Sequence, residues 1–126
     1  MTKVLLAGAG GFIGAALRYV ISNLFSRNPS IPLPLGTLIV NVLGGFFVGL
    51  ILEGSSRLWS ISPDMRVFLV TGILGGLTTF STFSHETVEL LSKGSYMLGI
   101  SNAALNLVLS LTFVWMGRFF VQYFSV

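Results

Sequence analysis

Hydroxyl side chains are concentrated in one ten-residue stretch of the third long apolar segment, residues 75–84. Five of its side chains carry a hydroxyl: Thr78, Thr79, Ser81, Thr82 and Ser84. The stretch begins with two adjacent glycines, each of which weakens a helix by about 1 kcal/mol relative to alanine. Polar groups at bilayer depth are costly and usually face protein or water. The pattern therefore predicts a break in a membrane-spanning helix, where freed main-chain groups bind an ion or line a cavity.

This stretch has a second interpretation, a packing seam between helices. In a seam, glycines allow close approach, and the hydroxyls bond to carbonyls of their own helix. The number of hydroxyls favours the functional site over the seam.

Polar side chains also follow helical spacing in the other apolar segments. Thr37 and Asn41 stand one turn apart and share a face. Arg18 lies inside the first segment, where it either extends to the membrane interface or faces an anion route. A polar stripe with a four-residue repeat lies in the last segment: Asn102, Asn106 and Ser110. Three aligned polar groups favour the lining of a cavity.

The residues expected at enzyme and metal sites are sparse. The chain contains no cysteine and one histidine, His85, so thiol chemistry is excluded and no metal-ligand spacing is present. No set of nucleophile and base is recognisable, which argues against an enzyme.

Phe80, Phe83 and Ser84 share one helix face, and the two rings are offset by about 4.5 Å along the axis.

Composition places these residues in a membrane protein. Of the 126 residues, 53% are hydrophobic and 9% are charged, and long apolar runs of this kind indicate membrane spans. Four spans are predicted, at residues 4–25, 35–52, 67–91 and 95–124. The four prolines lie outside these spans. The sequence thus predicts an all-α membrane protein, one four-helix domain over residues 1–126.

Glycine spacing predicts close helix packing. Gly10 and Gly14, and again Gly45 and Gly49, have GxxxG spacing. The glycines near the N-terminus do not fit a dinucleotide-binding fingerprint, because the third glycine is one place late and no βαβ pattern surrounds it. Four helices alone would shelter few of the polar groups, so we expect an oligomer, most economically a dimer.

Basic residues are nearly balanced between the two membrane sides. One side would carry Lys3, Arg57, Arg66 and Arg118, and the other Arg18, Arg27 and Lys93. Since excess Lys and Arg mark the cytoplasmic side, this balance predicts insertion in both orientations and an antiparallel dimer. The net charge of +3 is spread over loops and termini, so no nucleic-acid partner is expected.

A family resemblance covers essentially the whole chain, and four motifs carry it: Gly10-Gly11-Phe12-Ile13-Gly14 with Arg18, Leu35-Gly36-Thr37 with Asn41, Thr71-Gly72 with Gly75-Gly76, and Thr78-Thr79-Phe80-Ser81-Thr82-Phe83-Ser84. With them the sequence resembles the Fluc (CrcB) family of small bacterial fluoride channels. The resemblance implies a multi-pass protein of the bacterial inner membrane that exports fluoride passively. It also implies a dual-topology antiparallel homodimer with two pores.

The resemblance implies a fluoride path along several of the residues above. Phe80 and Phe83 correspond to the ring pair that contacts fluoride, with Ser84 on the same helix face. The other members correspond to a pore-lining asparagine, a vestibule arginine and a polar track in the fourth helix: Asn41, Arg18, Asn106 and Ser110. Positive ring edges with amide and hydroxyl donors suit a small, hard anion. Without a full counter-charge in the narrow part, the ion can leave again.

The resemblance further implies a structural sodium ion on the two-fold axis of the dimer. Gly75 and Thr78 correspond to the residues whose carbonyls bind it. The chain departs from the family pattern at Val114, where the polar track often continues with a hydroxyl. Asn102 occupies a position that often carries a different polar residue.

Two other functions compete with this one. A small multidrug transporter is also a four-helix antiparallel dimer, but it needs a carboxylate in its first helix, where this chain has Arg18 and no acidic residue. A non-transporting assembly factor would use the polar stripe only to join helices.

Overall fold

Apolar sequence and the need to pair every backbone group in a bilayer make helices the dominant element. The computed structural model describes residues 1–26 and 30–125, and this part of the chain contains no strand. Three of the four predicted spans are single helices: α1 (Thr2–Ser26), α2 (Leu35–Arg57) and α6 (Tyr96–Phe124). Arg27, which entered the charge balance, lies outside the described residues.

The third span, Pro63–Ser92, is composite. It begins with α3 (Pro63–Arg66), capped by the Ser62 hydroxyl, and continues as a π-helix over Val67–Leu74 and as α4 (Gly75–Leu77). After two extended residues it resumes as α5 (Phe80–Ser92). The predicted break is confirmed, although it is narrower than the ten-residue stretch suggested, and the π-helix was not predicted.

Helix α1 packs against residues 67–77 of the third span through its glycines. A Cβ added at Gly10 would collide with the Phe68 carbonyl oxygen, and one added at Gly14 with the Ile73 carbonyl oxygen. The two backbones are therefore too close to admit side chains, which confirms this GxxxG face.

Helices α2 and α6 pack in the same way. A Cβ at Gly45 would lie 2.9 Å from the Ser110 carbonyl oxygen, and one at Gly49 would collide with the Val114 carbonyl oxygen. The contacts advance together along both helices, so α2 and α6 run in the same direction. This packing confirms the second GxxxG face and sets Asn41 on α2 opposite the polar stripe of α6.

Few large apolar side chains are buried within one chain. The described hydrophobic core is small and consists of Val40, Leu74, Leu77 and Val121. Large side chains such as Phe12 and Trp115 are exposed on the outer surface. All four spans have the length and hydropathy needed to cross a membrane, and lipid or another subunit can cover such a surface.

Candidate functional site

The break in the third span consists of Thr78 and Thr79, both with extended backbone. In a continuous α-helix, the Thr79 and Thr82 amides would donate to the Gly75 and Thr78 carbonyls. Instead, the Thr79 N–H donates to Asn41 Oδ1 (2.8 Å) and the Thr82 N–H to Thr79 Oγ1 (3.2 Å). The Gly75 and Thr78 carbonyls therefore lose their usual helical donors.

Asn41 stabilises the break from the neighbouring helix. Its buried amide accepts from the Thr79 N–H and donates through Nδ2 to the Thr79 carbonyl (3.1 Å). The same Nδ2 donates to Asn106 Oδ1 at 2.9 Å. A single side chain thus pairs both main-chain groups of Thr79 and joins the break to α6.

The hydrogen bonds continue along α6 and return to the third span. Asn106 Nδ2 donates to the Asn102 carbonyl and to Asn102 Oδ1, both at 3.1 Å. Asn102 Nδ2 donates to Thr87 Oγ1 at 2.9 Å, and both asparagines are buried. Asn102, whose role the family resemblance leaves open, therefore joins α6 to α5.

A groove with a volume of about 590 Å³ lies beside this network. Five residues of the predicted fluoride path line it: Asn41, Phe80, Phe83, Asn106 and Ser110. Val114 lies at the position where the polar track loses its hydroxyl, and it also borders the groove. The structure thus brings residues from three separate spans together around one space.

The aromatic pair lies in the wall of this groove. The ring centroids of Phe80 and Phe83 are 5.5 Å apart, with an angle of 66° between the ring planes. Phe80 is 79% exposed. One chain therefore leaves most of this ring uncovered, and its positive edge is accessible to a neighbouring molecule or ion.

Two members of the predicted path do not line the groove within the described part of the chain. Arg18 lines a second cavity of about 340 Å³ with Thr37 and Glu86, and its Nη1 donates to the Thr78 carbonyl at 3.4 Å. Ser84 Oγ donates to the Phe80 carbonyl at 2.8 Å, so its hydroxyl bonds to its own helix.

The second cavity is lined by an arginine and a glutamate from different spans, Arg18 and Glu86. Thr37 Oγ1 donates to Glu86 Oε1 at 2.7 Å, while Glu86 Oε2 is buried without a partner in the described structure. Thr79 lines both the groove and this cavity. The break therefore separates an uncharged groove from a cavity that holds one arginine and one glutamate.

Sequence reasoning missed a charged cluster at the C-terminal ends of α2 and α6. The predicted second span ends at residue 52, whereas Glu53 belongs to α2 and is only 8% exposed. It accepts hydrogen bonds from Arg57 Nε (2.6 Å), Arg118 Nε (3.0 Å) and Gln122 Nε2 (2.9 Å). We call these four residues the Glu53 cluster. The four-residue spacing of Glu53 and Arg57 is visible in the sequence, whereas the contact with α6 is not.

The described acidic and histidine side chains do not form a metal site. Among the described residues, no group of three or more His, Cys, Asp or Glu side chains could hold a metal ion.

Comparisons with known proteins agree over nearly the whole chain. A family model described as "CrcB-like protein, Camphor Resistance (CrcB)" matches residues 5–118. The chain is 52% identical to a protein of Clostridium perfringens (strain 13 / Type A) and 50% identical to one of Clostridium novyi (strain NT), with 94% of each chain covered in both comparisons. It is 45% identical to a protein of Campylobacter fetus subsp. fetus (strain 82-40), over 96% of this chain and 94% of the relative. All three relatives are named "Fluoride-specific ion channel FluC". The spans and these relatives indicate a multi-pass bacterial membrane protein, and the chain belongs to the CrcB family.

Proposed function

We propose that the protein is a fluoride channel, and not an enzyme, that lets fluoride leave the cell passively. The observation that carries this proposal is the groove, in which the Phe80 and Phe83 rings lie beside the buried amides of Asn41 and Asn106. The names of relatives about half identical to the chain support the choice of ion.

The groove suits transient contact with an anion. The described residues that line it carry no charged side chain, so no full positive charge would trap the ion. Both Nδ2 contacts of Asn41 are with internal acceptors, Thr79 O and Asn106 Oδ1. A fluoride ion would therefore exchange with existing hydrogen bonds, which favours weak binding and release.

Two chains would complete the path as an antiparallel, dual-topology homodimer with two pores. The exposure of Phe80, a groove-lining ring, supports this arrangement because a second subunit would cover it. The small core supports it as well, since one chain buries few of its apolar faces. Lipid would cover the remaining outer surface.

The proposal also includes a structural sodium ion at the centre of this dimer. The Gly75 and Thr78 carbonyls, which have lost their helical donors, are hard oxygen ligands that suit sodium. The nearby hydroxyls bond elsewhere, because Thr78 Oγ1 donates to the Leu74 carbonyl and Thr79 Oγ1 to Thr82 Oγ1. The Arg18 guanidinium competes for the Thr78 carbonyl, so Gly75 is the better placed of the two ligands.

Ion efflux from proteoliposomes tests the function. Purified protein should release fluoride far faster than chloride, without a proton or cation gradient. Phe83→Ile should slow fluoride release and leave the protein folded, because isoleucine keeps apolar bulk but lacks the ring edge. Similar rates for the two anions would refute fluoride selectivity, and coupled cation uptake would instead indicate a transporter.

A further inference from the structure

The Glu53 cluster is not part of the fluoride path proposed above. Both oxygens of the Glu53 carboxylate are occupied, Oε1 by Arg57 and Gln122 and Oε2 by Arg118. One carboxylate faces two guanidiniums, so the cluster keeps a net positive charge.

The cluster lies just beyond one end of the groove. On α6, the lining residue Val114 is followed four residues later by Arg118, about 6 Å further along the helix axis. On α2, the lining residue Val48 precedes Glu53 by five residues. The two helices touch at this level, because Gly49 packs directly on the backbone of Val114 and Arg118.

The exposure of the cluster is uneven. The Glu53 side chain is only 10% exposed, whereas those of Arg57 and Arg118 are 50% and 54% exposed. The bonds to Glu53 use Nε of each arginine and leave out the terminal Nη groups, which carry four of the five N–H donors. A buried carboxylate thus holds two guanidiniums whose main donor groups are not used within the cluster.

We propose that Arg118, positioned by buried Glu53, collects anions at one mouth of the fluoride path. This inference rests on the function proposed above. At this end of the groove, Val114 supplies no polar atom from its side chain, so the charge one turn beyond it is the nearest attraction for an anion on α6. The cluster has a net charge of one unit, and such a charge about 6 Å from an anion in water raises the local anion concentration about threefold. The Debye length falls from about 10 Å at 0.1 M salt to about 3 Å at 1 M, so high salt removes the effect.

The test compares fluoride efflux from vesicles of neutral phosphatidylcholine at low and high concentrations of an impermeant salt. Arg118→Gln should slow efflux about threefold at low salt and have no effect at about 1 M. Arg118→Lys keeps the charge and should retain the wild-type salt dependence. Arg66→Gln is the matched control, because Arg66 is exposed and lies on the same membrane side in α3, outside the groove lining.

The variant Glu53→Gln tests whether the negative charge of Glu53 offsets part of the positive charge of Arg118. Without the carboxylate, both guanidiniums would act with their full charge, so efflux should depend more steeply on salt than in the wild type. An unchanged salt dependence in this variant would contradict the electrostatic role.

Other outcomes would overturn the inference. A deficit of Arg118→Gln that persists at 1 M salt, or that Arg66→Gln reproduces, would leave the cluster as a clamp between helices. A deficit seen only after anionic phosphatidylglycerol is added would assign Arg118 to lipid headgroups. If the wild type conducts and Arg118→Gln conducts equally well, only this inference fails, whereas a wild type without fluoride efflux contradicts both proposals.

Discussion

Asn41→Ala should destabilise the fold by removing the side chain that pairs the helix break. Three buried groups would lose their partner: the Thr79 N–H, the Thr79 carbonyl and Asn106 Oδ1. A buried polar group left unsatisfied costs about 1–3 kcal/mol. The adjacent groove can admit water, which favours the low end of this range, so we expect a loss of about 3 kcal/mol in the free energy of unfolding.

The assay is a denaturant titration of the purified protein in detergent micelles. Ser84→Ala is the matched control, because among the described residues this hydroxyl bonds to the Phe80 carbonyl of its own helix, and it should change stability by less than about 0.5 kcal/mol. In a double-mutant cycle, Asn41→Ala and Asn106→Ala should be less than additive by about 1 kcal/mol, since the two amides share a bond. An Asn41→Ala protein within about 0.5 kcal/mol of the wild type would refute the conclusion that Asn41 holds the break.

Further predictions concern packing, orientation and the central ion. Gly14→Ala should prevent α1 from packing on the third span, because its Cβ would meet the Ile73 carbonyl, whereas Gly8→Ala meets nothing within 4 Å and should be tolerated; equal thermal stability of the two variants would contradict this packing. C-terminal topology reporters should show both orientations, and lysines added beside the C-terminus should bias insertion and reduce function when that variant is expressed alone; a single wild-type orientation would exclude dual topology. Purification without sodium should lower dimer stability and fluoride efflux, and sodium should restore both better than lithium or potassium. If neither quantity responds to sodium, the central ion should be abandoned.

The sequence by itself determined the elements and their local chemistry. Hydropathy located four spans, because a bilayer requires long apolar runs with internally paired backbones. Paired glycines followed by hydroxyls located the break in the third span. Helical spacing placed Asn102, Asn106 and Ser110 on one face, and GxxxG spacing marked both close-packed faces. These features are local in the chain, so a pattern within a single span is enough to reveal them.

Tertiary structure decided which of these residues meet. It narrowed the break to Thr78 and Thr79, because Asn41 supplies the main-chain partners that a longer break would lack. It placed Arg18 in a separate cavity, away from the groove of Phe80 and Phe83.

The burial of Glu53 could not be predicted from the sequence either. The predicted second span ends one residue before Glu53, because a charged residue is disfavoured in an apolar run, but its charge is compensated by Arg118, 65 residues away on α6. Contacts of this kind depend on the register between helices. That register is set by backbone approach at glycines such as Gly49 and by hydrogen bonds across spans. A local pattern can mark these glycines, but it does not show which residues of the other helix they meet.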